Sequence, residues 1–291
     1  MKIFKYILEA VFIYVLFFIF RLFGIEFSRK FSSFLLIKIG SLFRKKKVIK
    51  NNILKVFKGY SDSEIDKLIK EMWSNYGFTF AEYIFLDKFR FNKFKENHIK
   101  ISGEEIINNI KKSGKPAIFI SAHLGNFELM AMELEKKNIN LAAIYRPLNN
   151  FFLNPFMVYL RKKYICKKQI KKGLVGTRDT INCIKDNKSI ALMVDQRVGE
   201  SERSPFFNIP AHTTTIPAQL AIKYDLEIIP VFLEREKDNF FNMEIQQPVK
   251  YEKTENSEED KRKITIEINR IIEKMILRNP GQWIWSHSRW K

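Results

Sequence analysis

The stretch Pro116-Ala-Ile-Phe-Ile-Ser-Ala-His123-Leu-Gly-Asn-Phe-Glu128-Leu-Met-Ala-Met-Glu-Leu-Glu-Lys-Lys137 changes character halfway along. Ala117–Ser121 is a short, unbroken apolar run, which suits a strand buried on both faces, whereas Asn126–Lys137 is helix-like. Further apolar runs follow at Leu141–Tyr145, Ser189–Val194 and Glu227–Leu233. Helix-like segments at Pro155–Tyr164, Thr177–Lys185 and Ile216–Lys223 lie between them. Strand and helix in alternation predict an α/β fold with a mixed, largely parallel central sheet flanked by helices. Long amphipathic helices are predicted ahead of it, at Ser61–Phe85, and near the end, at Ser257–Leu277, closed by Asn279-Pro280-Gly281. No internal repeat is visible, and no Gly/Ser-rich linker cuts the chain.

The same stretch carries the first candidate for chemistry. His123 ends its apolar run, and ligands of open α/β sheets gather at the carboxyl ends of strands. Glu128 lies five positions on, a spacing that a continuous helix would place about 140° round its axis. Gly125 permits a turn there and Asn126 suits an N-cap, so Glu128 is expected to fold back toward His123 from the first helical turn. One reading is a dyad in which the carboxylate fixes the imidazole tautomer and the other ring nitrogen acts as a base. The other is a structural His beside an acidic residue that complements a helix N-terminus. Asp195-Gln196 ends a second strand-like run, where it either positions a polar group or caps the strand. His212 suits a loop cap or an acceptor channel, and Trp283, Trp285 and Trp290 suit an interfacial belt or a core.

Composition bounds the class. The chain has 291 residues, 27 of them Phe, and a formal charge of +19. These values exclude a disordered tail, and two cysteines, Cys166 and Cys183, exclude a disulfide scaffold. The charge asks for an anionic partner: nucleic acid, phospholipid or an acidic protein or substrate. Arg44–Lys58 and Arg161–Lys172 each hold seven basic residues and no acidic one, which suits either a solvated face or an interfacial helix on anionic lipid. Ala10–Phe20 is free of charge, and with Glu9 and Arg21 snorkelling the apolar segment extends over Ile7–Ile25. The flank lacks a cleavage site, so a retained membrane anchor over residues 1–25 is predicted, spanning or half-inserted. Basic residues downstream place the body in the cytoplasm by the positive-inside tendency. No metal cluster, phosphate loop, dinucleotide fingerprint or serine elbow is present, and no RNA-binding signature favours nucleic acid.

His123-Leu-Gly-Asn-Phe-Glu128 resembles the H-x4-D/E block of the glycerolipid acyltransferase superfamily and, more narrowly, the late lipid A acyltransferases. The resemblance continues in order through Tyr145-Arg146-Pro147, Met193-Val-Asp195-Gln196, Pro205-Phe206-Phe207 and Thr213-Thr-Thr215. It ends on Asn279-Pro-Gly-Gln-Trp283-Ile-Trp285-Ser-His287-Ser-Arg289-Trp290, and so covers nearly the whole chain. Arg197 and Asn208 depart from it, standing where acidic residues and Gly are common. The resemblance implies transfer of a fatty acyl group from a thioester, on acyl carrier protein or coenzyme A, to a hydroxyl of a lipid A precursor. It implies His123 and Glu128 as the catalytic pair and no metal or other cofactor. Gly125, Asn126, Arg146, Arg161, Asp195 and Gln196 are the candidates for oxyanion or substrate binding. Arg161 reads equally as the start of a surface basic run. The expected partners are acyl carrier protein, the lipid A precursor and membrane lipids, at the cytoplasmic face of the inner membrane. The expected layout is an anchor at 1–25, a basic helical segment at 26–100 and a catalytic core at 101–291. Acylation of another glycolipid or phospholipid acceptor, and a non-catalytic basic membrane protein, are the alternatives.

Overall fold

The computed structural model describes residues 2–199 and 201–291. It opens with four helices: α1 (Lys2–Phe43), α2 (Lys46–Val56), α3 (Asp62–Glu82) and α4 (Leu86–Arg90). The sheet follows as β1 (Ile99–Ser102), α5 (Glu104–Ser113), β2 (Ile118–Ser121), α6 (Glu128–Lys136), β3 (Leu141–Tyr145), α7 (Asn154–Leu160), β4 (Lys168–Lys171), α8 (Leu174–Lys185) and β5 (Ser189–Met193). A hairpin of β6 (Arg203–Phe206) and β7 (Ile209–His212) leads to α9 (Ile216–Tyr224), β8 (Ile228–Arg235), β9 (Phe241–Ile245) and α10 (Ser257–Arg278). The seven-stranded sheet has the order β1-β9-β8-β2-β5-β3-β4. All neighbours are parallel except β8 and β9, so the predicted mixed, mostly parallel sheet is present.

Both faces of that sheet are covered, which explains why its central strands read as continuous apolar runs. Ile118 and Ile120 of β2 pack into one cluster with residues of α3, α9 and α10. Ala117 and Phe119 pack into the other with α5, α6 and Phe17 and Phe20 of α1. From β2 the chain crosses by α6 to β3, on the far side of β5; from β5 it crosses by α9 to β8, on the other side of β2. The two connections leave adjacent strands in opposite directions. That makes the carboxyl ends of β2 and β5 a topological switch point, where such sheets open a crevice.

Helix ends follow local chemistry. Ser61 and Glu64 form a reciprocal capping box at the start of α3, and the Asn256 side chain accepts from the Glu259 amide at the start of α10. The backbone of α1 leaves helical values at Gly24 (φ 82°, ψ 172°), bending the helix near the end of the apolar segment before it continues to Phe43. Helices α1 and α3 approach closely at Gly77, where an added Cβ would stand 2.5 Å from the Ser32 carbonyl oxygen.

Several expectations change. Arg161–Lys172 is not one interfacial helix: a helical turn at Arg161–Ile165 gives way to β4, whose Ile170 is buried in the core. Arg44–Lys58 does form a helix, α2, but its apolar side is already occupied, with Ile49 and Ile53 fully buried. Its lysines are therefore the solvated face of a core helix. Trp283 and Trp285 are core residues, and the Trp290 ring packs on Phe206 and Phe207. Strands β1, β4 and β9 escaped the sequence reading because each is four or five residues long with a mixed polar pattern.

Candidate active site

Residues His123 and Asp195 leave the carboxyl ends of β2 and β5, whose last paired residues are Ser121 and Met193. Adjacent strands thus bring together two side chains 72 positions apart in the chain. The Asp195 Oδ1 lies 2.7 Å from His123 Nδ1, and Oδ2 accepts from the His123 backbone N–H (3.0 Å) and from Trp283 Nε1 (2.8 Å). Burial of Asp195 raises its pKa, but the charge and hydrogen bonds of His123, with the Trp283 N–H, outweigh it and bring the pKa down to about 2. An ionised carboxylate there places the ring proton on Nδ1. The lone pair is left on Nε2, which lies 3.4 Å from the Gln196 side-chain nitrogen.

The expected His123–Glu128 hydrogen bond is not made; Asp195 occupies Nδ1 instead. Glu128, at the first residue of α6, turns to Arg161, whose Nη2 and Nε donate to Oε1 at 2.6 and 3.0 Å, and to the Tyr83 hydroxyl. The Arg161 guanidinium lies over the Tyr83 and Tyr145 rings. Burial lowers its pKa, but Glu128 more than compensates and raises it; Tyr83 is pushed up by its own burial and by the same carboxylate. Arg161 therefore lies in the wall of the cavity beside Glu128 and is not an exposed start of a surface run.

A cavity of about 380 Å³ joins these groups, lined by His123, Glu128, Arg146, Arg161, Lys172 and Gln196 together with apolar side chains. Phe127 makes an edge contact with the His123 ring at 4.6 Å, and Leu148 and Thr214 stand elsewhere on the wall. Arg146 and Lys172 are exposed at the lip. Desolvation and the nearby Arg146 charge both lower the pKa of Lys172.

Two predicted binding residues point away from this cavity. The Gly125 carbonyl (φ +53°) accepts from Asn75 Nδ2 (3.1 Å) and Thr79 Oγ1 (3.0 Å). Asn126 does not cap α6; its Nδ2 donates to Glu82 Oε2 at 2.8 Å. Glu82 is fully buried and held by Arg29 (2.8 Å) and by both Arg235 terminal nitrogens (2.5 and 2.9 Å). Burial opposes its charge, yet Arg235 and Arg29 win and keep its pKa below the ordinary range. Gly125 and Asn126 thus fasten the His123 loop from behind. The sequence signal for this support was a lone charge, Glu82, in the apolar run Gly-Phe-Thr-Phe-Ala-Glu-Tyr-Ile-Phe-Leu.

The C-terminal tail completes the support. The Gln282 side chain exchanges two hydrogen bonds with the Arg235 backbone (2.8 and 2.7 Å), and Trp283 locks Asp195. His212 is tied to the Ser201 carbonyl, as a loop support. His287 has a pKa depressed to about 4, chiefly by burial and against the attraction of Asp195. It stays neutral in the fold while the unfolded chain takes up a proton near 6.5. Proton uptake by the unfolded state lowers stability as pH falls from 6.5 toward 4. A His287→Gln variant is expected to lose less melting temperature than the unchanged protein between about pH 7 and about pH 5; equal losses rule out this role.

An imidazole held by a carboxylate thus stands at the switch point of an α/β sheet, beside a cavity with an arginine in its wall. The family model for bacterial lipid A biosynthesis acyltransferases matches residues 1–291, and the chain belongs to that family. It is an acyltransferase, and the acceptor that the family implies is a lipid A precursor. No curated protein matches the chain.

Proposed function

We propose that the protein moves a fatty acyl group from the thioester of an acyl carrier protein to the hydroxyl of a 3-hydroxyacyl chain on a lipid A precursor. The observation that carries this reading is the His123 ring, fixed by Asp195 on Nδ1 and presenting Nε2 to the cavity. Nε2 takes the hydroxyl proton as the oxygen attacks the thioester carbonyl. The new C–O bond forms, a tetrahedral oxyanion develops, and Arg161, oriented by Glu128, supplies N–H donors near it. Collapse breaks the C–S bond, and His123 returns the proton to the leaving thiolate. Glu128 acts through Arg161 in this scheme, which differs from a simple His/Glu dyad but keeps both residues in the site.

The donor is favoured by charge. Arg146 and Lys172 are exposed at the cavity, and Lys162, Lys163 and Lys171, next to Arg161 and Lys172 in the chain, are exposed as well, which suits an acidic carrier and phosphorylated acceptors. The long apolar α1 supports anchoring at a membrane, which in this reading is the inner membrane, with the body on its cytoplasmic face.

Reconstituted enzyme given an acyl-carrier-protein donor is expected to acylate a precursor that bears the 3-hydroxyl and to leave its 3-deoxy analogue untouched. Equal acylation of both acceptors overturns the assignment of the attacking hydroxyl.

A further inference from the structure

Helix α1 is fastened to the body over most of its apolar half. Near its start, Asn150 Nδ2 donates to the Tyr6 carbonyl (2.8 Å) and to Glu9 (3.2 Å), and the Tyr6 ring meets Phe151. One helical stretch later, the Tyr14 hydroxyl donates to the Phe152 carbonyl at 2.9 Å, and Phe17 packs on Phe80 and Phe156. At the far end Arg21 pairs with Asp87 at 2.9 Å and donates to the Ile84 carbonyl. Every charged residue of the segment from Ile7 to Phe23, namely Glu9 and Arg21, is thus engaged by the body.

These contacts conflict with a spanning helix. From Tyr6 to Arg21 the axis advances about 22 Å, most of the ~30 Å hydrocarbon thickness. Were the helix upright, the turn at 150–152 would ride deep into the bilayer, with Phe151 53% exposed. Irregular backbone facing lipid at that depth leaves its polar groups unpaid, and such loops do not occur there. Lying flat removes the conflict. Between Phe4 and Phe23 the free side of α1 is largely apolar: Phe4, Leu8, Phe12, Phe18 and Phe23 are each more than half exposed.

The same surface continues onto the body. Phe91, Leu148, Phe151, Phe152 and Tyr159 are exposed large apolar side chains outside α1. Lysines stand over aromatic rings around them, Lys163 on Tyr159 (5.2 Å) and Lys93 on Phe91 (5.4 Å). Aromatic rings with flanking lysines suit the headgroup level of a membrane. Leu148 and Asn149 also line the catalytic cavity, so the apolar surface reaches the cavity wall.

The geometry points to a protein that sits in one leaflet: α1 lies in the membrane plane and, with the 148–152 turn, forms an apolar plateau that is seated in an anionic phospholipid leaflet. The N-terminus therefore stays on the same side as the catalytic body, and a lipid acceptor reaches the cavity sideways past Leu148. The proposal rests on the membrane anchoring proposed above and is independent of the chemistry at His123.

The test uses the full chain added to preformed vesicles of phosphatidylcholine and phosphatidylglycerol. The native Cys166 and Cys183 are buried, so single added cysteines report cleanly. Lys2→Cys is expected to react with an external, membrane-impermeant maleimide as completely as a control Lys185→Cys on the body. Bimane attached at Phe151→Cys is expected to be quenched severalfold more by lipids brominated in their acyl chains than bimane at the control site. Labelling of Lys2→Cys only after the vesicles are opened, or no excess quenching at position 151, overturns the proposal. Failure of the chain to float with vesicles overturns the anchoring reading as well, and an acyl transfer assay on the same sample reads the chemistry separately.

Discussion

Replacing His123 with alanine is expected to lower turnover by on the order of 10³-fold, equivalent to about 4 kcal/mol in the barrier. The hydroxyl of an acyl chain is a poor nucleophile while it keeps its proton, and Nε2 is the group placed at the cavity to remove it. Folding should survive, because the ring is partly exposed and the loop that bears it is fastened by Gly125 and Asn126 to Asn75, Thr79 and Glu82. Melting temperature and vesicle binding measured beside turnover separate the two effects. Retained folding with turnover near that of the unchanged protein removes His123 from the mechanism.

The second large effect is expected at Asp195. Asparagine in its place keeps the shape and can still accept from Trp283 Nε1, but its amide can donate to Nδ1 and move the ring proton to Nε2. The base is then lost although no atom has moved, and a fall of about 10²- to 10⁴-fold in kcat is expected. Stability should fall too. The carboxyl is held at about 2 against an ordinary 3.8, a depressed value, so its contribution is complete above pH 3.8 and is lost as pH drops through about 2. The substitution removes that contribution. Glu128→Gln gives the contrasting result: it weakens the hold on Arg161 and lowers kcat while leaving the acid limb of the kcat/KM profile in place. If Glu128 holds the imidazole during turnover, its variant shifts that limb and Asp195→Asn does not.

These two carboxylates also mark how far the site could be read from sequence. Strand-end position was legible, because the apolar runs before His123 and Asp195 have the length and texture of buried strands. Partnership was not. Glu128 lies five positions from His123 and Asp195 lies 72, yet the insertion of β5 beside β2 makes the distant residue the neighbour. Strand order is a property of the whole sheet, and no local pattern encodes it. The same holds for Glu82, whose partners Arg29, Asn126 and Arg235 come from three other parts of the chain.

Fold elements divide along a similar line. Helices α3 and α10 were legible from caps and periodicity, and β2, β3, β5 and β8 from their apolar runs. Strand β4 was hidden because Lys-Gln-Ile-Lys buries a single apolar side chain, Ile170, and reads as part of a basic run. The tryptophan-rich tail was legible as a motif, but only packing distinguishes a membrane belt from a core. Trp283 is 1% exposed and bonded to Asp195, which puts the tail in the support of the site.

Acylation of a lipid A precursor through His123 is tested most directly by mass spectrometry of lipid A from cells whose sole copy of the gene encodes His123→Ala. Lipid A lighter by one fatty acyl chain of defined mass is expected, as in cells lacking the gene, with the variant protein present and membrane-bound. Fully acylated lipid A at the ordinary level in those cells would contradict it.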